Sequence, residues 1–311
     1  MLQSKITPKK ILITGASGFI GYNACEYFLK NFWKVFGLSE KGEFPPYVEP
    51  VKVDLLDFKK LKKEIKKINP SIVLHSAAYV VLERDFEVAR KCLDVNIMGT
   101  LNLLESVRKL PSLKKFIFFS TEEVYGDNKP PYKETQKVHP PSPYSISKVA
   151  GENLCLLYYK LYDLPVVILR LATVFGYYQP TYRFIPNIIM KAINNEPILL
   201  NSGKNKRDYL FIDDVIKAVD KAIISRKAIG EIFNIGHENP ISGKTLAQKI
   251  VKLANSKSEI ILNYFPDRKE EAKLWSMDSK KAEDILGWKA NKSIDENIKK
   301  TINFYKKIKN Q

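Results

Sequence analysis

The sequence has 311 residues, of which 45% are hydrophobic and 11% aromatic. A chain of this length and composition can bury a large core, so we expect one large α/β unit with an attached lobe. The composition excludes intrinsic disorder, collagen and coiled coil as descriptions of the whole chain. The 51 Lys and Arg residues outnumber the 34 Asp and Glu residues, which gives a formal net charge of +17.

This positive charge is spread along the chain instead of forming a nucleic-acid-binding pattern. Only eight of the basic residues are Arg, and basic residues do not interleave with aromatic ones as they do on an RNA-binding sheet. Six lysines crowd one helical segment: Lys59, Lys60, Lys62, Lys63, Lys66 and Lys67. We therefore expect a solvated Lys-rich surface, no nucleic-acid partner, and an electrostatic field that attracts small anionic substrates.

The three cysteines, Cys25, Cys92 and Cys155, lie far apart and outside any CxxC arrangement. This usage favours a reducing compartment over disulfides or zinc, and we expect no metal site. The residues before the first predicted strand lack an apolar run, and no segment reaches the roughly 18 apolar residues of a membrane span. We expect a cytoplasmic protein that does not associate with membranes.

In the first half of the chain, short β-branched runs alternate with longer amphipathic segments. The predicted strands are Lys10–Thr14, Lys34–Leu38, Val51–Val53, Ser71–His75, Lys115–Ser120 and Val166–Leu171. The predicted helices lie near 19–30, 57–68, 85–109 and 144–163. This alternation predicts an α/β fold with a doubly wound parallel sheet, right-handed crossovers, and ligands at the carboxyl ends of the strands.

Beyond about residue 175 the pattern loosens into loops rich in Pro, Tyr and Asn. Helices are predicted near 183–194, 212–225, 243–255 and 294–309, and short strands near 197–200, 231–235 and 259–263. We assign residues 1–175, with part of 209–237, to the sheet domain, and most of 176–311 to a smaller, interleaved C-terminal lobe.

The first predicted strand runs into a glycine-rich turn, Gly15–Gly21, and then into a helix. Gly15 permits the tight turn, Gly18 lets backbone N–H groups approach a pyrophosphate, and Gly21 lets the helix pack closely on the strand. The N-terminus of the helix favours negative charge. At the first strand–helix junction this pattern predicts a Rossmann-type dinucleotide site.

The GxxGxxG spacing, written TGASGFIG in this chain, resembles the extended branch of the short-chain dehydrogenase/reductase superfamily, and its nucleotide-sugar enzymes in particular. The resemblance continues to the stretch at 278–288. It implies NAD or NADP as cofactor and a nucleotide-diphosphate (NDP) sugar as substrate, with the C-terminal lobe binding the substrate. It also implies that Ser17, Phe19 and Ile20 join the three glycines at the cofactor.

At the end of the second strand a carboxylate is expected for the adenosine ribose, but the chain has Ser39, Glu40 and Lys41. Ser39 with Lys41 suits a 2′-phosphate, whereas Glu40 would repel one or take over the ribose. The choice between NAD and NADP stays open, with NAD preferred. By resemblance, Asp54 contacts the adenine and Leu55 belongs to the same cofactor segment; the alternative for Asp54 is an ordinary helix cap.

Tyr144 and Lys148 stand four residues apart on one predicted helix face. An ammonium group beside a phenol stabilises the phenolate and helps it act as a base. The preceding Pro-rich loop makes this segment resemble the superfamily's catalytic segment, whose Tyr and Lys also contact the cofactor. The same resemblance makes Thr121 the catalytic Ser/Thr, places Ala77 in the cofactor loop, and makes Asn96 the Asn that supports the site from a neighbouring helix.

The two carboxylates after Thr121 discriminate between reactions of this family. Nucleotide-sugar 4,6-dehydratases resemble STDEVYG, with an Asp acid and a Glu base, and this chain has STEEVYG. Elimination of water beside a ketone needs two titrating groups in different environments. Glu123 matches the base. Glu122 occupies the acid position, and its side chain is one methylene longer than the Asp of the dehydratases. Glu123 also matches UDP-glucuronate decarboxylases, and the alternative for Glu122 is a solvated loop acid.

The diphosphate of an NDP-sugar calls for guanidinium donors. By resemblance, Arg207 and Arg268 are the two family arginines, Arg183 lies near the sugar, and Thr173 replaces an Asn that many relatives carry. Surface ion pairing is the alternative for Arg207 and Arg268. No metal spacing or chemistry is assigned to the three histidines, His75, His139 and His237.

We interpret the chain as an NAD(P)-dependent enzyme that oxidises carbon 4 of an NDP-hexose transiently, with 4,6-dehydration as the preferred reaction. The alternatives are a 4-epimerase, which needs only Thr121, Tyr144 and Lys148, and then a UDP-glucuronate decarboxylase. A non-catalytic nucleotide sensor is the alternative from another class. The resemblance further implies a homodimer through the helices near 85–109 and 144–163.

Overall fold

The computed structural model describes residues 9–80, 85–267, 272–291 and 293–309. The strands are β1 (Lys10–Thr14), β2 (Lys34–Leu38), β3 (Glu49–Val51), β4 (Ile72–His75), β5 (Lys115–Thr121), β6 (Val166–Leu171), β7 (Thr173–Phe175), β8 (Ile198–Leu199), β9 (Lys206–Arg207), β10 (Tyr209–Phe211), β11 (Ile232–Ile235), β12 (Ile241–Ser242) and β13 (Ile260–Ile261). The α-helices are α1 (Phe19–Lys30), α2 (Phe58–Ile68), α3 (Phe86–Cys92), α4 (Gly99–Val107), α5 (Pro143–Tyr162), α6 (Phe184–Asn194), α7 (Ile212–Ile224), α8 (Gly243–Ala254), α9 (Lys280–Leu286) and α10 (Ile294–Lys309). A π-helix spans Leu93–Met98, and 3-10 helices span Glu122–Tyr125 and Arg226–Ala228.

Seven strands form one sheet in the order β11-β6-β5-β4-β1-β2-β3. β1 pairs in parallel with β2 and β4, β2 with β3, and β4 with β5. The strand order changes direction at β1 and β4, which is where a doubly wound sheet opens a crevice beyond the carboxyl ends of its strands. The predicted α/β fold class, a Rossmann-type parallel sheet with a smaller set of elements beyond it, is confirmed.

The sheet is covered by helices whose sequence pattern decides which face is buried. In α2, Leu61, Ile65 and Ile68 are buried and belong to the main apolar cluster, while the lysines of the same helix point outward. The side chain of Asp57 caps this helix by accepting a hydrogen bond from Lys60 N at 3.1 Å. The Lys-rich segment is therefore an amphipathic helix with a charged outer face.

Some elements differ from the sequence prediction. β3 spans Glu49–Val51 instead of 51–53, and it contains Pro50, which is tolerated because β3 lies at the edge of the sheet. The helix predicted near 85–109 divides into α3, the π-helix and α4. The strands β7, β9, β10 and β12 and the helix α9 were outside the prediction because segments of two to seven residues carry too little periodicity to detect.

The chain divides into two compact units. Unit 1 comprises Met1–Val124, Pro140–Leu169 and Ala222–Ile232, and unit 2 comprises Tyr125–His139, Arg170–Lys221 and Phe233–Gln311. The predicted assignment of residues 1–175, with part of 209–237, to the sheet domain and most of 176–311 to the smaller lobe stays a prediction beside this division. The cofactor role of one unit and the substrate role of the other stay predictions.

Unit 2 is held together around the buried carboxylate of Asp208. Its Oδ1 accepts a hydrogen bond from His237 N at 2.9 Å, and its Oδ2 accepts from Glu238 N at 3.0 Å and Met277 N at 3.3 Å. Burial raises the pKa of Asp208, and the three backbone hydrogen bonds act in the opposite direction. One side chain therefore joins three segments that are far apart in sequence.

The substitution Asp208→Asn is expected to lower the free energy of unfolding by roughly 1–3 kcal/mol, because an amide NH₂ would face backbone donors that need an acceptor. Urea denaturation followed by circular dichroism measures the change. Asp284→Asn, at an exposed position, is the matched control and should change stability by less than about 1 kcal/mol. Equal stability of Asp208→Asn and the parent protein would contradict the assigned role.

Candidate active site

The glycine turn after β1 has the geometry of an anion cradle. Gly15 adopts φ +67°, which favours glycine, and its backbone oxygen accepts a hydrogen bond from Gly18 N at 2.9 Å. A Cβ on Gly21 would lie 2.1 Å from that same oxygen, so the close approach of α1 requires glycine there. Gly18 caps α1 without a side-chain hydrogen bond, and the first turn of α1 carries no acidic residue. The backbone N–H groups at this helix N-terminus suit a pyrophosphate.

Beside the turn, two hydroxyl groups form a small polar cluster. Ser17 Oγ lies 2.7 Å from Ser39 Oγ, and both hydroxyls donate to Lys41 O, at 2.8 and 2.9 Å. The Glu40 carboxylate pairs with the Lys41 ammonium at 3.2 Å, and both side chains are exposed. The residues at the predicted ribose position are thus a hydroxyl cluster beside a paired carboxylate, which leaves the choice between NAD and NADP open.

The next predicted cofactor residues occupy four different environments. Asp54 is exposed and accepts from Leu56 N at 2.9 Å, whereas Asp57 provides the cap of α2, so the cap alternative for Asp54 is wrong. The Leu55 side chain belongs to the apolar core. Ala77 lies against the turn, because a Cβ on Gly15 would be 2.8 Å from Ala77 Cα. The half-buried Phe19 and Ile20 begin α1.

The helix that carries Tyr144 and Lys148 begins at a well-formed cap. Ser142 and Ser145 form a capping box, and Pro143 occupies the first helical position. Lys148 is 3% exposed and its Nζ donates to Phe119 O of β5 at 2.8 Å. The same Nζ lies 5.8 Å from the centroid of the Tyr144 ring. Tyr144 and Lys148 are therefore brought together on α5 and fixed against β5, as the spacing predicts.

Burial lowers the pKa of Lys148 from 10.5 to about 8, while the negative charge of Glu152 acts in the opposite direction. The ammonium form therefore persists at neutral pH but lies close to its titration range. A Lys in this state can stabilise a neighbouring phenolate and exchange protons near neutrality.

The two carboxylates follow Thr121, the last residue of β5. Glu122 is buried, with 3% of its surface exposed, and Glu123 is half-buried. Glu123 N donates to Thr121 Oγ1 at 3.2 Å, and Glu123 Oε1 accepts a short hydrogen bond from Ser142 Oγ. The Glu123 carboxylate is thus held at the N-terminus of the helix that carries Tyr144. The two acids therefore occupy different environments. Glu122 is buried, so the alternative of a solvated loop acid does not describe it.

Asn96 lies on the π-helix and uses both ends of its amide. Oδ1 accepts from Tyr79 N at 2.7 Å, and Nδ2 donates to Tyr79 O at 3.1 Å and to Ser147 Oγ at 2.9 Å. Ser147 Oγ donates in turn to Tyr144 O at 2.6 Å. Asn96 therefore ties the loop after β4 to the helix that bears Tyr144.

The predicted substrate residues belong to unit 2. Thr173 begins β7, and its N donates to Asp208 O at 3.1 Å. Arg183 occupies the N-cap position of α6, and its guanidinium lies 5.5 Å from the centroid of the Tyr182 ring. Arg207 lies on β9, half-buried, with its guanidinium 5.3 Å from the centroid of the Trp275 ring system. Arg268 lies outside the described residues.

The sequence did not identify three residues that contribute hydrogen bonds to the candidate site: Ser142, Ser147 and His75. Ser142 carried a detectable signal, since a Ser directly before Pro and a helical pattern is a cap signature. Ser147 and His75 carried none. Ser147 meets Asn96 at a separation of 51 residues in sequence, and His75 meets Thr14 and Thr100 at separations of 61 and 25 residues.

Three further observations on the described residues concern the cysteines, groups of metal-ligating side chains, and helix hydropathy. Cys25, Cys92 and Cys155 are free and buried. Among the residues with described positions, no three His, Cys, Asp or Glu side chains form a group that would hold a metal ion. Across the same residues, none of the helices combines the length and the hydropathy needed to cross a bilayer.

The lowered pKa of Lys148 predicts a pH-dependent stability. Below pH 8 the folded and unfolded states both carry the charge, and between about pH 8 and 10.5 only the unfolded state does, so the cost of burying the charge disappears as pH rises. The free energy of unfolding of the parent protein, measured relative to that of Lys148→Met in urea denaturation, should therefore rise from pH 7 to pH 10. Lys160→Met controls for the loss of an exposed charge on the same helix. A difference independent of pH would contradict the lowered pKa.

Comparison with known proteins places this geometry in a family. The family model described as "NAD dependent epimerase/dehydratase family" matches residues 11–236. The chain is 32% identical to the dTDP-D-glucose 4,6-dehydratase of Dictyostelium discoideum, over 97% of this chain and 82% of that protein.

Two solved structures are similar to this chain over nearly its full length. The UDP-glucose 4-epimerase of Thermotoga maritima, solved with UDP-glucose, superposes with a TM-score of 0.90 at 28% identity, covering 96% of this chain and 99% of that one. The dTDP-glucose 4,6-dehydratase of Bacillus anthracis, solved with NAD, gives 0.86 at 27% identity, covering 97% and 98%. The resemblance to extended short-chain dehydrogenase/reductases is confirmed, and the chain belongs to the NAD-dependent epimerase/dehydratase family.

Proposed function

We propose that the protein is an NDP-hexose 4,6-dehydratase that uses NAD. The observation that carries the proposal is the Glu122–Glu123 pair. The carboxyl group of Glu122 is buried, and that of Glu123 accepts a hydrogen bond from Ser142 at the N-terminus of the helix that bears Tyr144. Two acids in different environments are what an elimination beside a ketone requires. The dehydratase relative from Dictyostelium supports the same reaction.

The residues of unit 1 fit NAD. The turn at Gly15, the close approach at Gly21 and the uncapped N-terminus of α1 form a cradle for its pyrophosphate. When bound, NAD would supply the oxidation at carbon 4 of the sugar and the matching reduction at carbon 6, so that the cofactor is unchanged over a turnover. The Ser17 and Ser39 hydroxyls, 2.7 Å apart, are proposed to contact the adenosine ribose. The NAD-bound dehydratase structure from Bacillus anthracis supports NAD over NADP.

Tyr144, as the phenolate that the neighbouring Lys148 ammonium stabilises, takes the proton of the carbon 4 hydroxyl and becomes the neutral phenol. Thr121 donates a hydrogen bond to the reacting oxygen, with its own hydroxyl position set by Glu123 N. Glu123 then removes the carbon 5 proton, while Ser142 holds its carboxylate. Glu122 gives a proton to the departing carbon 6 hydroxyl, which leaves as water, and Glu123 returns a proton to carbon 5 to give a 4-keto-6-deoxy sugar.

The substrate would be anchored by unit 2. Arg207 supplies a guanidinium for the diphosphate, since Arg donates two parallel hydrogen bonds to such groups. Its stacking on Trp275 restricts its orientation. Arg183 and Thr173 are proposed to contact the sugar end.

A 4-epimerase is the second candidate. The Thermotoga maritima UDP-glucose 4-epimerase, with a TM-score of 0.90, favours it. That reaction needs Thr121, Tyr144 and Lys148 but gives the two glutamates no role.

Mass spectrometry of the purified protein incubated with GDP-mannose, dTDP-glucose, UDP-glucose, UDP-N-acetylglucosamine and UDP-glucuronate tests the proposal. Loss of one water from a hexose nucleotide is the expected result. An isomer of unchanged mass would establish the epimerase instead, and loss of carbon dioxide from UDP-glucuronate would establish a decarboxylase.

Glu123→Gln is expected to reduce the rate of water loss by roughly 10²- to 10⁴-fold, because the amide cannot accept the carbon 5 proton. The Kd for the NDP-hexose, from isothermal titration calorimetry, should change little because Gln has nearly the same shape. Glu259→Gln, exposed in unit 2, is the control with parent activity. Undiminished water loss in Glu123→Gln would remove Glu123 from the mechanism.

We also propose a homodimer formed through α3, the π-helix and α5. Ile146, Leu157 and Leu161 are 46–57% exposed and lie along one stripe of α5, and Leu93 and Met98 are 39% and 45% exposed on the π-helix. These helical segments pack on one another.

The double substitution Leu157→Lys with Leu161→Lys is expected to give a monomer in analytical ultracentrifugation, because two charges would be buried in the interface. Leu56→Lys, at a 41% exposed leucine outside these helices, is the control and should leave the dimer intact. A double variant that still sediments as the parent protein would place any interface elsewhere.

A further inference from the structure

His75, to which the sequence assigned no chemistry, lies in a buried chain of hydrogen bonds between the glycine turn and the π-helix. It ends β4 and is 2% exposed. Its Nδ1 lies 2.7 Å from Thr14 Oγ1 at the end of β1, and its Nε2 lies 3.0 Å from Thr100 Oγ1 on α4. Thr14 is the residue before Gly15, so His75 contacts the strand that delivers the turn.

The number of available protons determines the direction of each hydrogen bond around His75. The single hydroxyl proton of Thr100 is donated to Asn96 O at 2.5 Å, so His75 Nε2 must carry a proton and donate to Thr100. In a neutral ring His75 Nδ1 then accepts from the Thr14 hydroxyl, and Thr14 Oγ1 accepts from Ala77 N at 3.2 Å. Each donor and acceptor along this chain is satisfied.

The surroundings hold the ring neutral. Burial, together with the positive charge of Lys148, lowers the pKa of His75 to about 3. The ring of Phe118 neighbours both groups, with its centroid 5.7 Å from that of His75 and 4.9 Å from Lys148 Nζ. A charged His75 would have two donors and would lose the bond from Thr14.

The chain of hydrogen bonds continues to the proposed catalytic helix. Thr100 holds the backbone of Asn96, and the Asn96 side chain donates to Ser147 Oγ, which donates to Tyr144 O. The π-helix brings Asn96 to the point where its backbone meets Thr100 and its side chain meets α5.

We propose that His75, as the neutral Nε2-protonated tautomer, is a positioning residue that sets the helix bearing Tyr144 and Lys148 relative to the dinucleotide-binding turn. This inference rests on the proposed function, because proton transfer by Tyr144 requires its hydroxyl to be aligned with the bound sugar and cofactor.

The first test reads the tautomer directly and needs no substrate. The chain has three histidines, so ¹⁵N-histidine labelling gives a simple spectrum in which His75 is assigned by its loss in His75→Gln. A pyridine-type Nδ1 and a pyrrole-type Nε2, unchanged between pH 6 and pH 8, are expected. A protonated Nδ1, or a doubly protonated ring, would overturn the proposal.

The second test reads the position of Tyr144. Thr100→Val removes the link between His75 and Asn96, whereas Thr301→Val removes a hydroxyl equally buried on α10 that likewise donates to the carbonyl four residues earlier. The ring resonances of ¹³C-labelled Tyr144, assigned with Tyr144→Phe, should shift in Thr100→Val and stay unchanged in Thr301→Val. Unchanged Tyr144 resonances in a folded Thr100→Val would overturn the proposal.

Kinetics provide the third test. Thr100→Val should lower kcat roughly 10- to 100-fold with KM for the NDP-hexose changed less than about threefold. His75→Gln, whose amide offers a donor and an acceptor, should retain more activity than His75→Leu. If the parent protein converts no nucleotide sugar, the proposed function fails, and the two spectroscopic tests still decide the positioning role. A folded Thr100→Val variant with the kcat of the parent protein would contradict the positioning role.

Discussion

The burial of the Lys148 amine is the constraint on which the arrangement of the proposed active site depends. Its ammonium is compensated by Phe119 O of β5 and by the negative charge of Glu152, which hydrogen-bonds Ser120 of the same strand at 2.5 Å. Because a buried cation tolerates little displacement from its partners, α5 is fixed on β5 at this point. Tyr144, one turn earlier, is thereby fixed as well.

A second set of bonds acts at the beginning of the same helix. Ser142 caps α5 and also donates to Glu123, so one residue starts the helix and holds the proposed base. Since β5 ends at Thr121, the end of a strand and the start of a helix meet where proton transfers are proposed. Under the proposed mechanism, the reaction class would depend on two residues after a strand, on a scaffold similar to those of both a dehydratase and an epimerase.

The sequence was sufficient for the parts of the structure that depend on local pattern. Alternation of apolar runs gave the parallel sheet, and the glycine spacing gave the turn at Gly15 because only glycine adopts that conformation readily. The four-residue spacing of Tyr144 and Lys148 gave their common helix face. These features are encoded within about one element each.

The remainder depends on contacts between distant segments. His75 and Asp208 gain their roles from partners that packing alone brings near, and no local pattern marks them. The π-helix was missed because one continuous apolar pattern runs from α3 into α4. The first residues of β3 were missed because Pro50 argues against a strand except at a sheet edge.

Conversion of an NDP-hexose in heavy water tests the elimination chemistry most directly. If Glu123 removes the carbon 5 proton and the carbon 6 hydroxyl leaves as water, the product is lighter by one water and carries a solvent deuterium at carbon 5. A product that is an isomer of the substrate, or one without deuterium at carbon 5, would contradict elimination by the Glu122–Glu123 pair.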